Sequence, residues 1–121
     1  MNDNTTKTVN DVQTVVSLLN ENQQQLLKDT INHGCWGDSE IAFTDGEYPS
    51  TGYCTNDAKR GGHFQGRQIS SMFRSIYKKL CPNGGVGDII SHCSDWWGDG
   101  TGDMLFIKDG WDHAFEQWAK V

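Results

Sequence analysis

The segment from Asp95 to Asp103 carries carboxylates at a spacing suited to binding a calcium ion. The side chains of Asp95, Asp99 and Asp103 and the carbonyl of Thr101 would supply four oxygens around a glycine-rich bend. Calcium binds six or more oxygens in loops of this kind. The match is partial, because a tryptophan occupies the third position of the pattern and no Glu occupies the twelfth. Two interpretations stay open: a calcium loop, or a hairpin turn with solvated carboxylates.

Histidines and cysteines suggest two further kinds of chemistry. A tetrahedral zinc site with two nitrogen and two sulfur ligands could be formed by His33, Cys35, His92 and Cys93. The usual spacing of two to four residues between paired zinc ligands is missing from this set. A Cys/His hydrolase would use Cys54 as nucleophile with His63 or His92 as its base. No nucleophile elbow accompanies Cys54, so binding is favoured over catalysis.

The number of cysteines is even, and their spacing is wide. They are Cys35, Cys54, Cys81 and Cys93. No Cys-x-x-Cys pair occurs, which removes the spacing of redox motifs and zinc ribbons. An even set in a small chain predicts two disulfides in an oxidising compartment, with three connectivities open.

Basic residues are concentrated in the middle of an acidic chain. The net charge is −6, yet six of the ten Lys and Arg residues lie between positions 59 and 79. Four of them mark a candidate contact surface on a predicted helix: Arg67, Arg74, Lys78 and Lys79. Such a helix could bind an anionic partner, or its charges could only balance the acidic C-terminal third. The overall acidity argues against a dedicated nucleic-acid binder.

Two adjacent tryptophans extend the candidate contact surface. In an extended segment Trp96 and Trp97 would point to opposite sides, so one of them is expected to be exposed. An exposed tryptophan beside glycine-rich loops is typical of contacts with a carbohydrate, a membrane interface or a protein, whereas core packing is the alternative.

The hydrophobic pattern predicts one α+β domain over residues 1–121, with residues 1–7 frayed. Helical spacing of apolar residues indicates helices over 9–31, 68–80 and from residue 111 to the C-terminus. The polar insert at 20–25 is expected to kink or divide the first helix. A hairpin around residues 41–48 and strands over 86–93 and 104–107 complete a small antiparallel sheet covered by two or three helices.

The N-terminal sequence bears on localisation. The first thirty residues contain no apolar stretch flanked by positive charge, as a signal peptide would. Secretion therefore implies that a signal was removed, and the alternative is an intracellular protein with reduced cysteines. No apolar run has the length of a transmembrane helix, so no membrane-spanning segment is expected.

The region 52–93 resembles the fungal killer-toxin-like secreted effectors. In that family a Gly-x-Cys strand end leads through glycines into an amphipathic helix, and a Gly-x-Val-Gly turn then precedes a cysteine-bearing strand. The matching residues here are Gly52–Cys54, Gln68–Leu80, Gly84–Gly87 and Cys93. The resemblance implies an α+β sandwich, secretion, disulfides and a toxic or host-manipulating role without a catalytic centre. Cys81 and the N-terminal helix depart from the family pattern.

The sequence thus predicts a small secreted toxin or effector, stabilised by disulfides, that acts by binding a protein or cell-surface target without catalysis. No cofactor is required for this role, apart from the calcium of the Asp95 loop if it binds. One alternative is an intracellular inhibitor or immunity-type protein whose acidic C-terminal face binds a basic partner. The other is the small Cys/His hydrolase.

Overall fold

Helices and strands alternate along this chain in a computed structural model, which describes residues 7–34, 37–43, 46–81, 89–94, 98 and 102–120. Within those residues the elements are α1 (Val9–Val16), α2 (Glu21–Asn32), β1 (Asp38–Phe43), β2 (Gly46–Cys54), α3 (Thr55–Lys59), α4 (Gly66–Leu80), β3 (Ile90–Cys93), β4 (Met104–Lys108) and α5 (Asp112–Ala119). The α+β prediction is confirmed, with five helices in the described residues instead of two or three.

The first predicted helix is divided, and the polar insert holds the reason. Asn20 is the N-cap of α2: its side-chain oxygen accepts a hydrogen bond from the Gln23 amide at 2.8 Å. In return, the Asn20 amide donates to Gln23 Oε1 at 3.0 Å. This capping box satisfies backbone groups that a continuous helix would otherwise pair, so a new helix begins here.

The sheet is fully antiparallel, with the strand order β1-β2-β4-β3. The predicted hairpin is confirmed as β1 and β2, and its second strand runs on to Cys54, where it pairs with β4. Of the predicted strand 86–93, only Ile90–Cys93 forms β3, while residues 86–88 lie outside the described part. The nine-residue β2 therefore joins the hairpin to the C-terminal strands.

The two faces of the sheet bury different clusters. The helices pack on the face that presents Tyr53, Ile90, Leu105 and Ile107, and they form the main core with those side chains. The opposite face buries a smaller cluster of Phe43, Cys54, Met104 and Phe106. In each strand these two sets alternate, as the period of two requires.

The C-terminal helix packs mainly on other helices. α5 contacts α1 and α2, and its Phe115 and Trp118 are buried in the main core. The sequence predicted a helix at this position, as observed. It was expected to cover the sheet, whereas it packs mainly on α1 and α2. In the described residues, every helix is too short or too polar to cross a membrane.

Candidate functional site

Helix α4 has one buried face and one charged face. Its buried face consists of Ile69, Phe73, Ile76 and Leu80, which lie in the main core. These residues recur at steps of three and four, so they fall on one side of the helix. Because that side is fixed against the core, the residues on the opposite side are held towards solvent.

Three of the predicted contact residues form a line on the exposed face of α4. Arg67, Arg74 and Lys78 are all exposed, and they are separated by seven and four residues. At 3.6 residues per turn their side chains lie within about 20° of one line that is about 16 Å long. None of the three forms an ion pair with another described residue. We call these three residues the basic stripe.

Lys79 does not belong to the basic stripe. Its ammonium Nζ donates a hydrogen bond to Gln23 Oε1 of α2 at 2.9 Å. Gln23 is buried, and the same oxygen also accepts from the Asn20 amide. One residue after Lys78 the helix has turned by about 100°, which directs Lys79 towards α2. Lys79 therefore joins two helices, and its place in the predicted contact surface stays a prediction.

A pocket of about 280 Å³ opens at the N-terminal end of the basic stripe. Its walls come from α3, from the first turn of α4 and from the two residues before β4. They are lined by Thr55, Asn56, Lys59, Gly66, Arg67, Ser70, Gly102 and Asp103. Every side chain in this lining is polar or charged. We call this cavity the polar pocket.

Helix α3 forms one wall of the polar pocket, and sequence reasoning missed it. The Asp57 carboxylate accepts a hydrogen bond from the Cys54 amide at 2.9 Å and another from Arg60 Nη1 at 2.7 Å. Asp57 is fully buried, so these bonds fix the turn between β2 and α3. An acidic residue three positions after a strand end is a helix-start signal that could have revealed α3.

Asp103 is held at the pocket by a buried histidine. His92 Nε2 and Asp103 Oδ2 lie 2.8 Å apart, and both side chains are about nine-tenths buried. The His92 ring also lies near the ring of Tyr77 in α4. This contact ties β3 to the start of β4 and orients the carboxylate.

The predicted calcium loop lies mostly outside the described residues, which exclude Asp95, Asp99 and Thr101. Asp103, its fourth predicted ligand, is bonded to His92. Among the residues that the structure describes, no three His, Cys, Asp or Glu side chains are grouped as a metal site would require. Calcium binding at this loop stays a prediction.

Strand geometry separates His92 from Cys54 and Cys93. Cys54 and Cys93 both pair with Met104, so their side chains share the face of the smaller cluster. His92 pairs with Leu105 and faces the helices instead. Neighbouring strand residues point to opposite faces, so His92 and Cys93 do not converge on one zinc ion. For the same reason His92 does not reach Cys54 as a base.

His63, the other candidate base, is bonded elsewhere. Its Nδ1 lies 2.8 Å from Asp29 Oδ2, and Gln25 Nε2 donates to the other oxygen of Asp29 at 2.9 Å. Asp29 is buried on α2. His63 thus links the segment between α3 and α4 to α2, and its role as a base for Cys54 stays a prediction.

No disulfide joins any two of Cys54, Cys81 and Cys93. Cys54 and Cys93 lie on strands separated by β4, about 9.5 Å apart, and cysteines whose Cα atoms are more than about 7 Å apart cannot be bridged. Cys81 is in the main core on the other face, where its Sγ donates to the Ile90 carbonyl at 3.2 Å. Two disulfides among four cysteines need at least one bond within these three. The predicted pair of disulfides is therefore not formed in this structure, and Cys35 lies outside the described residues.

The tryptophan prediction concerns residues that the structure does not describe, since Trp96 and Trp97 both fall outside it. The described residues of the predicted surface are thus the basic stripe and Lys79. Comparison of the chain with known protein families, with curated proteins and with solved structures gives no significant match.

Proposed function

We propose that this protein is a small toxin- or effector-type binding protein that docks on an anionic partner through the basic stripe. The observation that carries the proposal is the alignment of Arg67, Arg74 and Lys78 on the exposed face of α4, without ion pairs to described residues. Cations exposed on a rigid helix are available to a complementary surface, and they accelerate association with it.

The partner in this proposal is a protein or cell-surface component that presents several carboxylate, sulfate or phosphate groups. Three charges spread over about 16 Å of rigid helix match a repeated anionic surface better than a single small ion. Secretion is part of the proposal and is supported by the resemblance of residues 52–93. The proposal does not require the two disulfides, because the main core already anchors α4.

The test compares single-charge variants on a heparin column, used as a sulfated probe, and in a cell-killing or host-response assay. Lys78→Gln removes a charge from the basic stripe, whereas Lys120→Gln removes one from the exposed end of α5. Lys78→Gln should elute at lower salt and lose activity, and Arg74→Gln with Lys78→Gln should lose more. Equal elution and activity for Lys78→Gln and Lys120→Gln would refute the proposal.

The acidic inhibitor is a second candidate function, and a row of exposed carboxylates on the hairpin favours it. Asp38, Glu40 and Glu47 are exposed on the same face of β1 and β2. Thr51, the cross-strand partner of Asp38, donates a hydrogen bond to Asp112 of α5 at 3.2 Å, so the carboxylates continue onto that helix. Such a surface would suit a basic partner.

The two candidate functions predict opposite effects of charge removal on retention by the two columns. Under the inhibitor hypothesis, Glu40→Gln with Glu47→Gln should abolish retention on a polylysine column, used as a cationic probe, while Arg74→Gln with Lys78→Gln should not reduce it. On the heparin column, loss of retention in the variant with Arg74→Gln and Lys78→Gln, but not in the variant with Glu40→Gln and Glu47→Gln, would support the toxin or effector.

A further inference from the structure

We propose that the polar pocket binds a small soluble phosphate monoester, with the phosphate between Lys59 and Arg67 and a ligand hydroxyl at Asp103. This site goes beyond the proposed docking surface, since it takes a small molecule and not a macromolecular face. Only Arg67 belongs to both.

The charges of the pocket favour an anion. Lys59 at the end of α3 and Arg67 in the first turn of α4 both line the cavity, and neither forms an ion pair with a described residue. Among the described lining residues Asp103 is the single carboxylate, and it is hydrogen-bonded to His92. Two cations against one partnered carboxylate leave this described part of the lining net positive.

The backbone adds to this preference for an anion. Gly66 is the first residue of the 15-residue helix α4 and lines the pocket. The first amides of a helix have no intrahelical acceptors, and the helix dipole makes this end partly positive. Amide groups at a helix N-terminus combined with basic side chains form a common phosphate-binding arrangement.

The lining supplies enough hydrogen-bond donors for the several oxygens of a phosphate monoester. A guanidinium donates two parallel hydrogen bonds and an ammonium acts as a point charge, so Arg67 and Lys59 suit the several oxygens of a phosphate. Ser70 and Thr55 add hydroxyl donors in the same lining.

Asp103 determines which second functional group, besides the phosphate, the ligand must carry. A carboxylate would repel the phosphate, but it accepts a hydrogen bond from a hydroxyl at the other end of a small ligand. Because His92 holds Asp103 in place, that acceptor is fixed before the ligand arrives. A volume of about 280 Å³ is at the lower limit of small-molecule pockets, which fits a compact ligand.

The test is a nuclear magnetic resonance titration of the full chain with inorganic phosphate and with glycerol 3-phosphate, at constant ionic strength. Saturable shifts are expected at the amides of Gly66, Arg67, Ser70 and Gly102, and glycerol 3-phosphate should bind more tightly than inorganic phosphate. Lys59→Met should weaken binding about tenfold or more, because a charge-assisted hydrogen bond is lost. Lys120→Met, the matched control, should leave the dissociation constant unchanged.

Three results would overturn this assignment: no saturable shift, equal binding of sulfate and phosphate, or an unchanged dissociation constant in Lys59→Met. Binding to phosphatidic acid vesicles without binding to glycerol 3-phosphate would overturn the soluble ligand in favour of a lipid headgroup. The variant with Arg74→Gln and Lys78→Gln separates this site from the docking surface. It should retain glycerol 3-phosphate binding even where heparin retention is lost.

Discussion

Tyr53 shows how a single side chain is controlled by its surroundings. It is 3% exposed in the main core, with its ring against Gly34, where an added Cβ would approach the ring to 2.5 Å. Burial raises the pKa of Tyr53, since a phenolate would lose its hydration, and the nearby carboxylates of Glu116, Asp112 and Asp57 raise it further.

This environment predicts a loss of stability in alkali. The folded protein holds the Tyr53 proton more tightly than the unfolded chain, where the tyrosine pKa is 10.0. The stabilising contribution is complete below that pH and is lost as the pH rises above it. Tyr53→Phe should therefore reduce the fall in unfolding free energy between neutral pH and pH about 11. Urea unfolding across this range measures it, with Tyr48→Phe as control. Identical slopes in parent and Tyr53→Phe would contradict the prediction.

The hydrogen bond between His92 and Asp103 should contribute to the stability of the fold. Asp103→Ala leaves a buried imidazole without its partner, so we expect the unfolding free energy at neutral pH to fall by about 1–3 kcal/mol. Asp103→Asn keeps an oxygen that can accept from the ring and should lose less. Chemical unfolding of the two variants measures the difference. Equal stability of parent and Asp103→Ala would show that the hydrogen bond contributes nothing.

At the scale of elements, the boundaries of the helices depend on local polar contacts. The first turn of α1 is capped by Thr8, whose hydroxyl accepts from the Asp11 amide, and α2 is capped by Asn20 in the same way. Between them, Ser17–Leu19 makes single-turn contacts that end with Leu19 buried in the main core. The break thus allows both short helices to pack against the main core, which one straight helix could not do.

Removing the N-cap of α2 should destabilise the start of that helix. Asn20→Ala is expected to lower the unfolding free energy by about 1 kcal/mol, since the Gln23 amide loses its acceptor. Asn22→Ala is the matched control: it makes the same chemical change at an exposed position inside the helix, where alanine is favourable. Thermal and urea unfolding compare the two. An equal effect at both positions would rule out a capping role for Asn20.

At the scale of the whole molecule, the charges and the cysteines are both distributed by the sheet. The carboxylates of β1 lie at one edge, and β3, with the basic helix α4 packed beside it, forms the other. The same strand order places β4 between Cys54 and Cys93. A molecule with opposite charges at its two edges offers different surfaces to anionic and cationic partners.

The separation of the cysteines predicts how the protein reacts with an alkylating reagent. Because Cys54, Cys81 and Cys93 are not bridged to one another, at most one disulfide, to Cys35, is compatible with this fold. Alkylation of the unfolded, unreduced protein should therefore modify at least two cysteines, as read by intact mass. A fully unmodified chain would mean two disulfides, and hence a different arrangement of strands or of Cys81. Protein from its native source is the material to use.

Much of the local structure follows from the sequence alone. The period of apolar residues indicated α4 and α5, the continuous apolar run at 104–107 indicated β4, and the turn residues near position 45 indicated the hairpin. The polar insert indicated the division between α1 and α2. These features depend on interactions over three to ten residues, which a linear pattern contains.

The site depended on contacts that no linear pattern contains. The pairing of β2 with β4 brings α3, α4 and Asp103 to one cavity, although about fifty residues separate the two strands along the chain. Alternation along β3 places His92 and Cys93 on opposite faces, and the position of β4 between β2 and β3 keeps Cys54 from Cys93. The sequence by itself determined which residues are basic, acidic or apolar and which segments form helices and strands. Only the tertiary structure decided which of them meet, because strand order and side-chain direction are set by packing of the whole core.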